Sequence, residues 1–337
     1  MDRRQFLATS SVASCGLAFT GSTIASAEST KVMQRAGAFS LDDNLLRFTH
    51  PGVTEAWNMV MLADTHLFRE DERDADFRQY SARMARAYNV TAHFQTKEAT
   101  NPEACFQQTL RLSQEHDARI VALVGDIVSF PSQAAVEWVA QQLRDTATSY
   151  LYVAGNHDWH YEGMNGSLEQ LRSTWIHERL MPLYDNSAMG PADSPLMMSS
   201  SINGVRIVAL DNSNYQITDA QLAYFRDQAA SGQPLLLLVH IPLYAPHRSM
   251  GFGCGHPEWG AATDKNFELE RRERWPEAGH TSATMEFHKT VFSTPNLLGV
   301  LAGHIHRPSV DVVHGIPQVV TGHNATGAYL RVEFHPV

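Results

Sequence analysis

The sequence predicts an α/β fold. Short apolar runs with the length of buried strands recur along the chain, and amphipathic stretches with helical spacing lie between them. In addition, five of those runs end in Asp, Asn or His, where ligands gather in open α/β sheets.

The runs are Met59–Ala63, Ile120–Val124, Tyr150–Val153, Val205–Leu210, Leu235–Val239 and Leu297–Leu301. Each is apolar apart from Arg206, as expected of strands covered on both faces. Between the first two, Asn101 is placed to cap a helix with Pro102 in its first turn, and Cys105, Phe106, Thr109 and Leu110 form its inner stripe. Ser132 is placed to cap a helix that carries Val136, Val139 and Leu143 on one face. Thr218 with Gln221 fits a capping box, followed by Leu222 and Phe225 on the buried face. Leu330, Val332 and Phe334 alternate with polar neighbours, as in a half-buried strand.

Glu28 to Asn58 has mixed character, with an edge hairpin around Leu45–Phe48. Residues 28–57 therefore read as an N-terminal extension or edge hairpin, and 58–337 as the main domain. The stretch near 245–286, with glycine-rich turns and a charge run, reads as a long loop insertion.

Composition sets outer bounds. The 337 residues, 43% hydrophobic, suffice for one large domain. The formal charge of -10 argues against a nucleic-acid polymer as partner, but not against a small phosphate ester, since bound cations reverse the local sign.

Arg3 and Arg4, then Phe6 and Leu7, an uncharged stretch from Ala8 to Ile24, and Ala25-Ser26-Ala27 form a cleavable signal peptide over 1–27. The paired arginines make it similar to the twin-arginine type, which implies the twin-arginine translocation machinery as partner and a periplasmic or extracellular location. Val12-Ala13-Ser14-Cys15 offers lipid anchoring at Cys15 as a competing reading, against which the very short apolar run before it weighs. No later stretch is apolar and long enough to span a bilayer. Cys105 and Cys254 remain after cleavage, and one disulfide between them is open in an oxidising compartment.

The chemistry sits where the runs stop. The first ends in Asp64-Thr65-His66, the second in Gly125-Asp126, the third in Gly155-Asn156-His157-Asp158, the fifth in His240 and the sixth in Gly303-His304-Ile305-His306. Oxygen and imidazole donors without thiolate suit Mn, Fe, Co, Ni or Zn. A spacing of two puts Asp64 with His66, and His304 with His306, on one side of an extended segment. Gly125, Gly155 and Gly303 are read as sharp turns that aim the ligands. Each piece alone is common; five in order, each at a strand end, are not.

These motifs make the chain resemble the calcineurin-like metallophosphoesterase superfamily from Asp64 to His306. The resemblance implies a four-layer α/β/β/α sandwich with two divalent metal ions at the strand ends. It implies Asp64, His66, Asp126 and His306 as ligands of one ion, Asp126 bridging to the second, and Asn156, His240 and His304 completing that one. A metal-bridging hydroxide would attack phosphorus, and His157, which is not a ligand, would protonate the leaving group. The expected activity is hydrolysis of phosphate esters, mono- or diesters. Asp126 is followed by Ile-Val-Ser-Phe-Pro rather than the Asp-Arg-Gly of protein-phosphatase relatives, and Ser129 stands where purple acid phosphatases have a tyrosine. These departures disfavour a phosphoprotein substrate and a tyrosinate–iron site, while Asp64-Thr65-His66-Leu67 and Gly155-Asn156-His157-Asp158 resemble the bacterial phosphodiesterase-like branch and lean toward phosphodiesters or small organic phosphates.

Secondary candidates are Asp158, as orienter of His157 or as a turn residue, and Trp159, His160 and Tyr161, as pocket lining or core. His247, Cys254, His256 and Trp259 are candidates for a lid, and Asn324 for a residue approaching the site. Arg271, Arg272 and Arg274 among Glu270 and Glu273 read as a solvated face. The alternative to catalysis is a non-catalytic metal- or ligand-binding protein on the same scaffold. A zinc hydrolase of amides or lactams is disfavoured, because neither a His-Glu-x-x-His nor a His-x-His-x-Asp-His pattern occurs.

Overall fold

A computed structural model describes residues 36–81, 87–147, 149–188, 194–260 and 279–337. Residues 1–27, read from the sequence as a signal peptide, with Cys15, and the charge run around Arg271, Arg272 and Arg274 lie outside the described residues.

Fourteen strands are described: β1 (Ala38–Asp42), β2 (Leu45–Thr49), β3 (Trp57–Leu62), β4 (Thr91–Ala92), β5 (Ala99–Thr100), β6 (Ile120–Val124), β7 (Tyr150–Val153), β8 (Met197–Ile202), β9 (Val205–Leu210), β10 (Leu235–Leu238), β11 (Leu297–Ala302), β12 (Ser309–Val313), β13 (Ile316–Val320) and β14 (Leu330–His335). The α-helices are α1 (Arg78–Ser81), α2 (Pro102–Glu115), α3 (Gln133–Asp145), α4 (Leu168–Trp175), α5 (Met181–Asp185), α6 (Asp219–Ala230) and α7 (Ser282–Val291).

Two six-stranded sheets dominate, in the orders β1-β2-β14-β3-β6-β7 and β12-β13-β11-β10-β9-β8. The six apolar runs are the parallel strands β3, β6 and β7 of one sheet and β9, β10 and β11 of the other. They are apolar except at the half-buried Asn58 of β3 and Arg206 of β9, because one face meets helices and the other meets the opposite sheet. Every residue of β6 and β10 is buried. The sheets approach closely where a Cβ on Gly299 of β11 would lie 3.0 Å from the Phe48 ring of β2. Helices α2 and α5 cover the first sheet, α3 packs on α5, and α6 covers the second with α7 beside it. The result is an α/β/β/α sandwich.

Most local signals act as the sequence predicts. Asn101 Oδ1 accepts from Ala104 N at 3.0 Å at the start of α2, and Thr218 with Gln221 forms a full capping box on α6. Ser132 behaves differently: its hydroxyl donates to the Arg69 carbonyl and makes no cap bond to α3. The alternating tail becomes β14, inserted between β2 and β3 with burial on every second residue. Strand β1 pairs antiparallel with β2 at the sheet edge. Helix α7 begins at Ser282, inside the stretch read as loop, because Thr281 caps it by accepting from Thr284 N at 3.2 Å. Among the described residues, no helix is long and apolar enough to cross a membrane.

The parallel strands all run toward the same end, and the segments beyond them keep bonding to one another. Asp64 N donates to Gly125 O at 3.0 Å, His66 N to Asp126 O at 2.9 Å, and Gly303 N to His240 O at 3.0 Å. The motif loops are thereby stitched side by side.

Candidate metal centre

Seven side chains converge at those loops. Ligand atoms of Asp64, His66 and His306 lie within 4.8 Å of one another, as do those of Asp126, His240 and His304. Asp126 Oδ2 sits between the two groups, 3.9 Å from His66 Nε2 and 3.2 Å from His240 Nε2. Asn156 Oδ1 joins the second group, 2.9 Å from His304 Nδ1 and 3.2 Å from His240 Nε2. His157, Asp126 and His66 form a third cluster of the same tightness.

The backbone that aims these groups is not the extended one read from the sequence. Asp64, His66, Asp126, His304 and His306 all have φ between 50° and 74°, in the left-handed region. Such residues are uncommon outside glycine and cost energy, so tertiary pairing of the loops overrides local preference here. The spacing of two brings each pair together through curled backbone instead of extended strand. The glycines need the same correction. Of Gly125, Gly155 and Gly303, only Gly125 has a positive φ, at 80°. Gly155 and Gly303 instead permit close approach: a Cβ would lie 2.2 Å from Asp126 N at Gly155 and 2.5 Å from Ala63 Cβ at Gly303.

Polar partners hold the ligands. His240 Nδ1–H donates to Val124 O at 2.9 Å, which turns Nε2 toward Asp126. The Asp64 carboxylate accepts from His304 N at 3.0 and 2.9 Å. Asp126 Oδ1 accepts from His157 N at 2.7 Å, leaving Oδ2 to face both groups. Past His240, the Asn212 amide brackets Ile241, donating to its carbonyl at 2.6 Å and accepting from its N–H at 3.0 Å. Gln318 brackets Leu243 in the same way at 2.8 Å each.

The donor set fits divalent cations. Asp64 and Asp126 are fully buried carboxylates ringed by imidazoles. His66 Nε2 and His306 Nε2 face each other at 2.9 Å, a distance that two lone pairs tolerate only with a shared proton or cation between them. Burial, then repulsion from His157 and His306, drives the His66 imidazole well below its usual range, so it is held neutral as a ligand must be. Burial also opposes the charge on Asp126, but His240 and His157 outweigh it and hold that carboxyl well below the carboxylate range. The same pairing overcomes the burial of His240 and lifts it to about 10. The centre is thus built to receive positive charge.

The secondary candidates separate cleanly. The Asp158 carboxylate accepts from Asp126 N, Val128 N and Gly155 N at 2.7–2.9 Å, so it ties the second and third motif loops together as a structural residue. Trp159 and Tyr161 are core, at 0% and 1% exposure. His247 is exposed. Cys254 bridges to Leu243, and His256 packs edge-on against Tyr244. Cys105 and Cys254 are both buried free thiols. Trp259 does approach the centre, stacked 5.2 Å from Tyr215. Asn324 accepts from Thr65 Oγ1 at 3.1 Å and donates to Thr109 Oγ1 at 2.8 Å, pinning the first motif from behind.

Three contributors escape the strand-end reading. Tyr88 stacks on His66 with ring centroids 4.3 Å apart. His323 donates from Nδ1 to His306 O at 3.1 Å and stacks on its ring. Tyr215 places its hydroxyl 2.7 Å from His304 Nε2. Tyr215 had a visible signal: it closes Asp211-Asn212-Ser213-Asn214-Tyr215 after the fourth apolar run, the one run to which no ligand was assigned. Tyr88 and His323 lie in loops without a comparable pattern.

Known proteins place this arrangement. The calcineurin-like phosphoesterase family profile matches residues 59–308. A probable cyclic nucleotide phosphodiesterase of Psychrobacter sp. (strain PRwf-1) is 26% identical over 218 residues, 64% of this chain and 54% of that protein. The chain therefore spans about half the length of that relative. Among solved structures, a dimetal phosphatase of Danio rerio matches with a TM-score of 0.49 and 12% identity, over 82% of this chain and 91% of its own. A purple acid phosphatase from yellow lupin (Lupinus luteus) matches with a TM-score of 0.48 and 14% identity, over 84% and 46%. The profile match takes in all seven converging side chains, and the chain belongs to the calcineurin-like phosphoesterase family.

Proposed function

We propose that the protein is an exported metal-dependent hydrolase of phosphodiesters or small organic phosphates. The observation that carries this reading is Asp126 Oδ2, which faces His66 Nε2 at 3.9 Å and His240 Nε2 at 3.2 Å, so that one carboxylate serves two ligand groups. Asp64, His66 and His306 would hold one ion and Asn156, His240 and His304 the other, with Asp126 placed to serve both. When bound, two divalent cations (Mn, Fe, Co, Ni or Zn) acidify water and neutralise charge growing on the phosphate oxygens.

The chain's own residues supply position and a proton. Asp126 stays anionic because His240 and His157 face it. His157 is half-buried, and its ring lies edge-on to His66 at 4.8 Å. Its backbone N–H is spent on Asp126. A protonated His157 ring nitrogen gives its proton to the leaving ester oxygen as the phosphorus–oxygen bond to that group breaks and one to the attacking oxygen forms.

The diester preference is supported by the likeness to the probable cyclic nucleotide phosphodiesterase of Psychrobacter and by the motifs Asp64-Thr65-His66-Leu67 and Gly155-Asn156-His157-Asp158. Metal-loaded protein should cleave bis(p-nitrophenyl) phosphate with a higher kcat/KM than p-nitrophenyl phosphate. The reverse order overturns the diester preference. No turnover of either at full metal occupancy overturns hydrolysis in favour of a binding protein.

Export rests on residues 1–27, read as a leader for the twin-arginine translocation machinery, with the hydrolase domain over 58–337. Mass spectrometry of the protein recovered from the periplasm should find Glu28 at its N-terminus. A lipid-modified Cys15 there would replace this reading with anchoring.

A further inference from the structure

We propose that Tyr215 is a positioning residue that selects the His304 tautomer and so sets the metal affinity of the Asn156–His240–His304 group, separately from the other group. The inference rests on the two-ion reading above.

His304 is held at both ring nitrogens. Nδ1 lies 2.9 Å from Asn156 Oδ1, inside the second ligand group, and Nε2 lies 2.7 Å from the Tyr215 hydroxyl. An imidazole that offers Nδ1 as a ligand must carry its proton on Nε2, and that N–H needs an acceptor. The phenol oxygen is within hydrogen-bond reach to accept it. In the other tautomer Nδ1 would carry the proton and could not ligate.

The surroundings hold that oxygen firmly in place. Tyr215 is 2% exposed and keeps φ at 65°, a conformation that a bulky residue occupies only where its surroundings enforce it. A Cβ on Gly253 would lie 2.4 Å from the Tyr215 ring, so this glycine is the gap that admits the ring. The ring's face rests on Trp259, 5.2 Å away and tilted by 20°, and Trp259 in turn stacks on His280 at 4.4 Å.

The segment carrying Tyr215 is itself anchored. Buried Arg172 reaches Asp211 at 3.3 Å and Asn214 at 3.1 Å. Asp211 accepts from Ser213 N at 2.8 Å, and Trp159 Nε1 donates to Ser213 Oγ at 2.8 Å. The other group has supports of its own: Tyr88 lies face to face on His66 with its hydroxyl 3.5 Å from His306 Nδ1, and His306 is backed by His323 through its own carbonyl. The two groups therefore have separate supports, which allows one to be weakened alone.

Tyr215→Phe keeps the ring and its stacking and removes one oxygen. Purified enzyme and variant are stripped of metal and titrated with Mn(II) or Zn(II) against a chromophoric chelator. The wild type should take up two ions. The variant should bind the first with unchanged affinity and the second about 10–100-fold more weakly. Its KM should stay near wild type once metal is saturating, and its metal-free Tm should be unchanged. Wild-type affinity for both ions in the variant overturns the inference while leaving the two-ion reading intact. Equal weakening of both ions with a lowered Tm overturns it in favour of a purely structural role. A wild type that takes up fewer than two ions rejects the two-ion reading itself, and this inference with it.

Discussion

Replacing Asp126 is expected to empty the centre and to lower kcat/KM on phosphoesters by about 1,000-fold or more, the scale of losing several kcal/mol of charge stabilisation. Asp126 Oδ2 faces both groups and lies 3.2 Å from His240 Nε2, nearer than Asp64 Oδ1 at 4.0 Å, so its removal costs each ion an anionic ligand at once. Asp126→Ala would also leave the His157 N–H without its acceptor in a buried place, at a cost of about 1–3 kcal/mol. Asp126→Asn avoids that confusion, since an amide oxygen still accepts from His157 N while the charge is gone. Metal analysis and turnover should fall together in both variants, with the fold of Asp126→Asn intact by circular dichroism. Full activity in either variant would overturn the mechanism.

His157→Ala should separate what Asp126 joins. Both ions should stay, while kcat drops by about 100- to 10,000-fold on substrates with alkoxide leaving groups. The loss should shrink for p-nitrophenyl esters, whose leaving group departs without a proton. His157 lies within ligand distance of His66 and Asp126, so the metal content of this variant is a real discriminator. A missing ion would make His157 a ligand, and an equal loss on every leaving group would remove it as the acid.

The core of the fold was legible because β3, β6, β7, β9, β10 and β11 are covered on both faces, and that burial demands nearly continuous apolar runs. The antiparallel strands were harder. β1 is exposed along its whole length, and β12 alternates, so neither carries a run that stands out from loop. The start of α7 was hidden by the glycine-rich stretch before it. At the centre, residue types and order could be read, but backbone shape could not. Nothing in Asp64-Thr65-His66 announces two left-handed residues, because that shape is imposed by bonds to the Gly125 and Asp126 carbonyls, some sixty residues away. The supports were the least visible part. Tyr88 and His323 act through stacking and a backbone carbonyl, and such contacts leave no spacing rule behind.

The central claim is that one buried carboxylate joins two ligand groups into a single two-ion centre. Anomalous diffraction at the metal absorption edge on crystals of the loaded protein tests it most directly. Two peaks about 3.5–4 Å apart, with Asp126 Oδ2 between them, is the predicted result. A single peak, or two peaks on unrelated groups with Asp126 touching neither, would contradict it.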